Sequence, residues 1–272
     1  MGAVCHLLLS LNLRYKLEEG FYLKIVNRTN SKLRKLLSKF EQFYYRVKEN
    51  GWYFLFSIFC RVSLAYAFIV AGMVKIFGER FASGLSNLHP MGAYLEALHH
   101  TGYYYTSIGI AQVLAAVLLL IPRTVLLGAL LYFPIIINIW ILSYAVRFEG
   151  SIVTSPLMVI ANIFLLVWHY DRLKYLLPVK NLVTHEFFAK PKKYNWNFPW
   201  KFVFVVSMVV GMTIAIAHWG YEVMPRNSLA DCSEQFENTE DEVAGIKFCK
   251  CIHEEGKPLD ECLQNFKEDR KN

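Results

Sequence analysis

The sequence predicts an all-α, polytopic membrane protein. It should hold a four-helix transmembrane bundle, a fifth transmembrane helix and a small extracytoplasmic helical hairpin that carries cysteines. Three observations carry this expectation. Hydrophobic residues make up 55% of the chain and charged residues 19%, against roughly 45–50% and about 25% in soluble domains. Five segments, at roughly 52–77, 103–121, 125–146, 152–170 and 202–219, approach the ~20 apolar residues that a membrane helix needs. Four cysteines (Cys232, Cys249, Cys251 and Cys262) follow the last of these segments. The same composition excludes disorder, a collagen repeat and a disulfide-built mini-protein.

The chain divides accordingly into a basic cytoplasmic region at 1–50, a bundle at 51–175, a basic and aromatic loop at 176–201, the fifth span at 202–219 and an acidic tail at 220–272. Within the first region, Leu33, Leu36, Leu37, Phe40, Phe43 and Tyr44 recur at three- and four-residue steps, which predicts an amphipathic helix over 31–49 lying in the headgroup plane. Ala3 to Leu9 is apolar but lacks a basic start and a small-residue cleavage site, so the first span, not a cleavable signal, is expected to target the chain. The connection 78–102 carries an apolar stripe (Phe81, Leu85, Leu88, Tyr94, Leu95, Leu98) suited to lie across the outer mouth of the bundle as a lid. Pro122-Arg123 and Phe148-Glu149-Gly150 make the next two connections tight hairpins. Tyr194 to Trp200, with two tryptophans and Phe198, reads as an interfacial aromatic anchor.

Orientation follows from the positive charges of the short flanking loops. Residues 1–50, 122–124 and 171–201 are all rich in Lys and Arg and fall on one side of five spans, whereas the opposite connections offer little beyond Arg80 and Arg147. The N-terminus is therefore expected in the cytoplasm and residues 220–272 outside, in the cytoplasmic (inner) membrane of a bacterium. The formal net charge is +7. The basic residues flank apolar spans instead of forming a compact domain, so the expected partner is the lipid bilayer and not nucleic acid.

Polar side chains within lipid are costly and usually face the bundle interior or a wet cavity. The first four spans each hold one amide or charge well inside them, Arg61, Gln112, Asn138 and Asn162, and the first adds Lys75 near its end. Helical geometry brings Arg61, Gly72 and Lys75 within about 60° of one another on the first span. Gly109, Gln112 and Ala116 share a face of the second, and Pro134 should kink the third beside Asn138. These residues outline a polar cavity in which Arg61 and Lys75 would attract an anion, a carboxylate or a quinone oxygen. The competing reading has Arg61 snorkelling to headgroups while the amides bridge helices. The fifth span offers only Ser207 and Thr213 internally, and reads as a tether for the tail.

Arg61 to Gly78, with its arginine, apolar run, Ala71-Gly72 and Lys75, resembles the start of the DoxX family of small membrane proteins. Ala111 to Arg123 is similar to that family's second helix. The resemblance covers roughly residues 55–175. It implies a four-helix membrane bundle, thiol or sulfur oxidation linked to a quinone, or redox homeostasis, with the chain acting as a subunit of a quinone-linked oxidoreductase. Related bundles act without catalysis as cargo receptors or assembly factors. The alternative is therefore a scaffold whose acidic tail binds an exported protein. Many members carry glutamate where this chain has Gln112, which argues against proton-coupled chemistry there.

In the tail, Thr239 and Glu242 fit a capping box, and a helix from about Glu240 to Glu255 should be stopped by Gly256 and Pro258 and followed by a second through Cys262 and Phe266. Cys249 and Cys251 point about 200° apart on one helix, so a bridge between them is disfavoured. Two pairings remain open: Cys232–Cys249 with Cys251–Cys262, or Cys232–Cys251 with Cys249–Cys262. Structural disulfides are the plain reading of a segment this small. A redox-active Cys249-Lys250-Cys251 pair and a metal site with His253 are the sharper ones, although that spacing fits no standard zinc pattern. No phosphate-binding loop, dinucleotide fingerprint, HExxH helix or nucleophile elbow is present. The scattered His89, His99, His100, His169, His185 and His218 are expected to be solvated or headgroup-bound.

Overall fold

The computed structural model of the chain describes residues 39–40, 42–173 and 194–271. Residues 31–38 and 41 of the amphipathic segment and 176–193 of the loop, together with Cys5 and His185, lie outside the described residues. The described residues fall into two compact units, one of those up to residue 53 with 194–197 and the other of residues 54–173 and 198–271.

In the first unit, residues 39–40 and 42–48 are helical (α1), and Gly51 begins the helix α2 (Gly51–Ile76). Asn50 caps α2: its Oδ1 accepts from the Trp52 N–H at 2.9 Å, replacing one of the bonds a helix start lacks. The aromatic segment docks against this start. Asn50 and Asn195 form a parallel bridge, Trp52 Nε1 donates to the Trp196 carbonyl at 3.1 Å, and the two indoles meet edge to face. A Cβ at Gly51 would already touch the Trp196 ring at 3.0 Å.

The second unit is built from α2, α3 (Pro90–His99), α4 (Tyr103–Leu120), α5 (Val125–Ala145), α6 (Glu149–Ile152), α7 (Thr154–Trp168), α8 (Tyr170–Leu173) and α9 (Trp200–Trp219). The tail adds α10 (Leu229–Glu234), α11 (Glu242–His253) and α12 (Leu259–Asp269). Among the described residues, five helical segments are long and apolar enough to cross a membrane: α2, α4, α5, the α6–α7 pair and α9. The chain is an all-α, multi-pass membrane protein, with ends within a few residues of those the hydropathy predicts.

Small residues let these helices approach. Gly72 on α2 and Gly109 on α4 face each other so closely that a Cβ on either would meet the other's carbonyl oxygen at 2.8 Å and 2.7 Å. Gly128 of α5 does the same against the backbone of Leu119. Phe68 and Tyr132 stack at 3.5 Å between ring centres in the core formed with Leu64, Ala115, Leu119 and Ile136. By contrast, α9 buries only Thr213, and meets the bundle where Phe202 packs edge-on against Phe56.

The tail carries a separate core around Phe236, Phe248, Ile252 and Phe266, closed by Cys232–Cys249 and Cys251–Cys262. The expected hairpin is present as α11 and α12. Gly256, at φ +64°, turns the chain between them as only a residue without a Cβ does readily. One expectation needs correction. The capping box does not form, because the Thr239 hydroxyl donates to the Phe236 carbonyl and α11 begins at Glu242 after an Asp241 that makes no side-chain cap. A third helix, α10, precedes the hairpin, started by Ser228, whose Oγ accepts from the Asp231 N–H at 3.2 Å. The tail rests on the bundle end that bears α3 and α6. The Arg147 guanidinium donates to the Val223 carbonyl at 2.6 Å and lies over the Tyr221 ring, while Arg226 pairs with Glu149.

Candidate functional site

Between α2, α4, α5 and α7 the bundle leaves a cavity of about 640 Å³, closed on the tail-bearing side by α3 and the loop before it. That volume lies within the ~300–1,000 Å³ typical of small-molecule sites. The walls are mainly apolar, with Phe68, Ala71, Ile136, Leu142 and Met158 from the spans and Phe81, Leu95 and Leu98 from the lid. The lid stripe read from the sequence thus supplies the roof.

The roof is pinned by Arg80. Its Nη2 donates to the Leu85 carbonyl at 2.7 Å, its Nη1 to Asn87 Oδ1 at 2.6 Å, and its Nε lies 3.2 Å from Glu96 on α3. Tyr105 holds the other end, its hydroxyl donating to the Glu79 carbonyl and accepting from the Phe81 N–H. His89 starts α3: its Nδ1 accepts from the Met91 N–H at 3.1 Å, with Pro90 next in line. His89 is fully buried, which corrects the expectation of a solvated ring. Burial, and then the neighbouring His253, push its pKa down to about 4, with the Arg226 backbone acting weakly in the other direction. Glu96, His99 and His100 bring ligand atoms within 4.8 Å of one another. Their other bonds are already to Arg80 and to backbone carbonyls, so they read as pins of the lid.

Lys75 enters the cavity from the last turn of α2. It is only 6% exposed, and among the described residues no carboxylate pairs with it. Its Nζ donates to the Ala71 carbonyl at 2.9 Å and sits over the Phe81 and Tyr105 rings at 4.4 and 5.9 Å. Aromatic faces attract a cation without cancelling its charge. The ammonium keeps N–H donors available to a ligand oxygen.

Two other polar atoms in the lining residues are buried without a partner among the described residues: Gln112 Oε1 on α4 and Ser155 Oγ on α7. Leaving such an atom unsatisfied costs about 1–3 kcal/mol. Beside Ser155, the Ser143 hydroxyl donates to the Ile139 carbonyl and meets Ser151 Oγ at 2.6 Å, and both serines line the cavity. Asn138 also lines it but is exposed, at the rim.

Lys75, Gln112 and Asn138 are therefore brought together, and two expected members are not. Arg61 points away to the opposite end of the bundle, where Nε and Nη2 donate to the carbonyls of Leu119 and Leu120 at 2.9 and 2.7 Å and cap α4. Asn162 is wholly buried and bridges helices, its Nδ2 donating to the Ala129 carbonyl at 3.1 Å. Cys249 and Cys251 are not bonded to each other. Each is buried in a different disulfide, and the bonded sulfurs leave no metal ligands for His253, whose Nε2 contacts the Pro225 carbonyl. The serines of the site escaped the sequence reading. A lone serine near a helix start looks the same whether it caps, packs or binds.

The fold and the cavity define a class: multi-pass helical membrane proteins with a lidded, largely apolar pocket in a four-helix bundle. No family model matches the chain, and no solved structure does. Over 121 residues it is 36% identical to the uncharacterized protein YwoB of Bacillus subtilis (strain 168), an alignment spanning 43% of this chain and 77% of that protein. The chain belongs to the family of YwoB.

Proposed function

We propose that this protein binds a small apolar molecule with a carbonyl-bearing head, of the quinone class, in the cytoplasmic membrane of a bacterium, with residues 220–272 outside. The carrying observation is Lys75, a buried ammonium without a carboxylate partner among the described residues, in a cavity of mainly apolar walls. The resemblance of the first two spans to the DoxX family supports the same class, and the charge of the flanking loops supports the orientation. The residues present fit a quinone head: Lys75 offers N–H donors to a carbonyl, Gln112 an amide, and Phe68 and Phe81 flat apolar surface. A bound quinone would supply reversible electron acceptance. The chain's part is to orient the ring and exclude water beneath α3. The locked tail disulfides argue against these cysteines as its electron donors, so any redox role rests with a partner that meets the cavity.

The test is binding of menadione to the full chain in lipid nanodiscs. Saturable binding weakened about tenfold or more in K75L, with unchanged thermal stability, supports the reading. Binding that is absent, or indifferent to K75L, removes it.

A second reading, a scaffold that holds an exported protein through the acidic tail, is favoured by one observation: the tail has its own disulfide-closed core and needs no reaction to explain its cysteines. A photo-crosslinker at the exposed Val243 should then capture one discrete partner in cells, and diffuse or no capture counts against it.

A further inference from the structure

The cavity is covered above and filled below. Above, Arg80 and Tyr105 pin the roof, and the tail lies on it at Leu88 and His89. Below, the Phe68–Tyr132 stack and the buried Ala115 and Leu119 occupy the bundle toward its other end. Between α2 and α4, the crossing of Gly72 and Gly109 leaves no room for one more carbon atom. Asn162 ties α7 to α5, and the Ser143–Ser151 pair ties α5 to α6. By contrast, α4 and α5 meet tightly at the far end, where a Cβ at Gly128 would lie 2.6 Å from the Leu119 nitrogen. Ten or eleven residues outward, ~15 Å along both helices, Ile108 of α4 and Asn138 of α5 both line the cavity.

Asn138 is exposed although it lines the cavity, so the wall is broken there. It stands three residues from the middle of α5 (Val125–Ala145), only ~4.5 Å in depth, and so deep within a hydrocarbon core about 30 Å thick. Pro134, one turn before it, cannot donate to the Leu130 carbonyl, so α5 yields most readily beside the break. The exposed Gly150 and Thr154 also line the cavity, but at the outer end, where Arg226 of the tail pairs with Glu149. We infer that the cavity takes its ligand sideways from the hydrocarbon of the bilayer, through a slot between α4 and α5 with Ile108 and Asn138 as its lips. The ligand is then a molecule that dissolves in lipid, and solutes of the outer medium are shut out by the roof. This rests on the binding function proposed above and adds the source of the ligand. An amide both donates and accepts, so Asn138 can meet a polar head of either kind on its way from lipid to Lys75.

A thiol inside the cavity tests the entrance without any ligand. Ser155 lines the cavity and is buried, so S155C, in the full chain with C5A and C60A in lipid nanodiscs, reports what enters. N-cyclohexylmaleimide dissolves in the bilayer, whereas a sulfonated maleimide stays in water. The first should label S155C at least about tenfold faster, because charge is excluded from hydrocarbon. Filling either lip, by N138W or I108W, should slow that labelling about fivefold or more, as a blocked gate does. M158W, which narrows the cavity from α7 instead, should not. Equal labelling by the sulfonated reagent puts the entrance in the roof and overturns the inference. So does slowing by M158W alone, an unchanged rate in both lip variants, or a thiol that neither reagent reaches. Melting temperatures show that each variant is folded. Menadione that fails to bind while the labelling follows the expected pattern removes the proposed function and leaves the entrance standing.

Discussion

Gly72 and Gly109 stand back to back where the first and second spans cross, each occupying the room that the other's Cβ would need. The contact sets the site. The Cβ of a residue at 109 would meet Lys75 Cβ at 2.8 Å, and one at 72 would meet Gln112 Cβ at 3.2 Å. The two residues that present polar groups from this wall are therefore placed by this close crossing of α2 and α4. G109A should push α2 from α4 and destabilise the protein by about 1–3 kcal/mol, the usual cost of overpacking. It should also weaken menadione binding. Thermal unfolding in detergent and binding in nanodiscs measure the two effects; a wild-type melting curve would show that the helices yield without cost.

Arg61 behaves differently from Lys75 although both lie on one face of α2. Its two bonds close the exposed carbonyl end of α4. R61L should lower stability by roughly 1.5–3 kcal/mol, the range for a hydrogen bond to a charged group, and leave the menadione affinity of the folded protein unchanged. Unaltered stability with lost binding would put Arg61 back in the site.

The tail disulfides close separations of 17 and 11 residues. Chain-entropy arguments put their stabilisation at about 3 kcal/mol each. All four sulfurs lie in residues that are buried. A membrane-impermeant maleimide added to intact cells should label none of them, with or without quinone depletion, until a reductant is added. Labelling that appears on quinone depletion alone would show that a bridge turns over, and would return the tail to the redox chemistry from which its burial removes it.

His89 links the lid to the tail. Its ring lies 5.8 Å from that of His253, and Gly256 of the tail approaches Leu88 so closely that a Cβ there would meet it at 2.9 Å. An unfolded histidine titrates near ~6.5, while the buried ring is held down to about 4. The depressed value means that the unfolded or undocked state binds more protons between these limits. The contribution of His89 to stability is thus constant above about 6.5, and is lost as the pH drops toward 4. Proteolysis of the tail should accelerate over that window, and H89Q should flatten the dependence. A rate independent of pH between 7 and 4 would show that the pair does not control docking.

The number of spans and their limits were legible because lipid imposes a length and an apolarity that any sequence crossing it must meet. For the same reason the interior faces were legible: Gly72 and Lys75, and Gly109 and Gln112, follow from 100° per residue alone. The lid stripe of Phe81, Leu95 and Leu98 was also visible, since an apolar stripe between spans needs a surface to cover. Helical angle does not report depth. Arg61 and Lys75 share a face but lie ~21 Å apart along the axis at 1.5 Å per residue, so one caps α4 while the other enters the cavity. Nor did periodicity choose between the two disulfide pairings, which the packing of α10 against α11 decides by bringing Cys232 to Cys249. Ser155 became a functional candidate only once folded. What matters about it is the absence of solvent and, among the described residues, of a partner around its hydroxyl oxygen, and that is a property of the neighbours that the tertiary structure assembles.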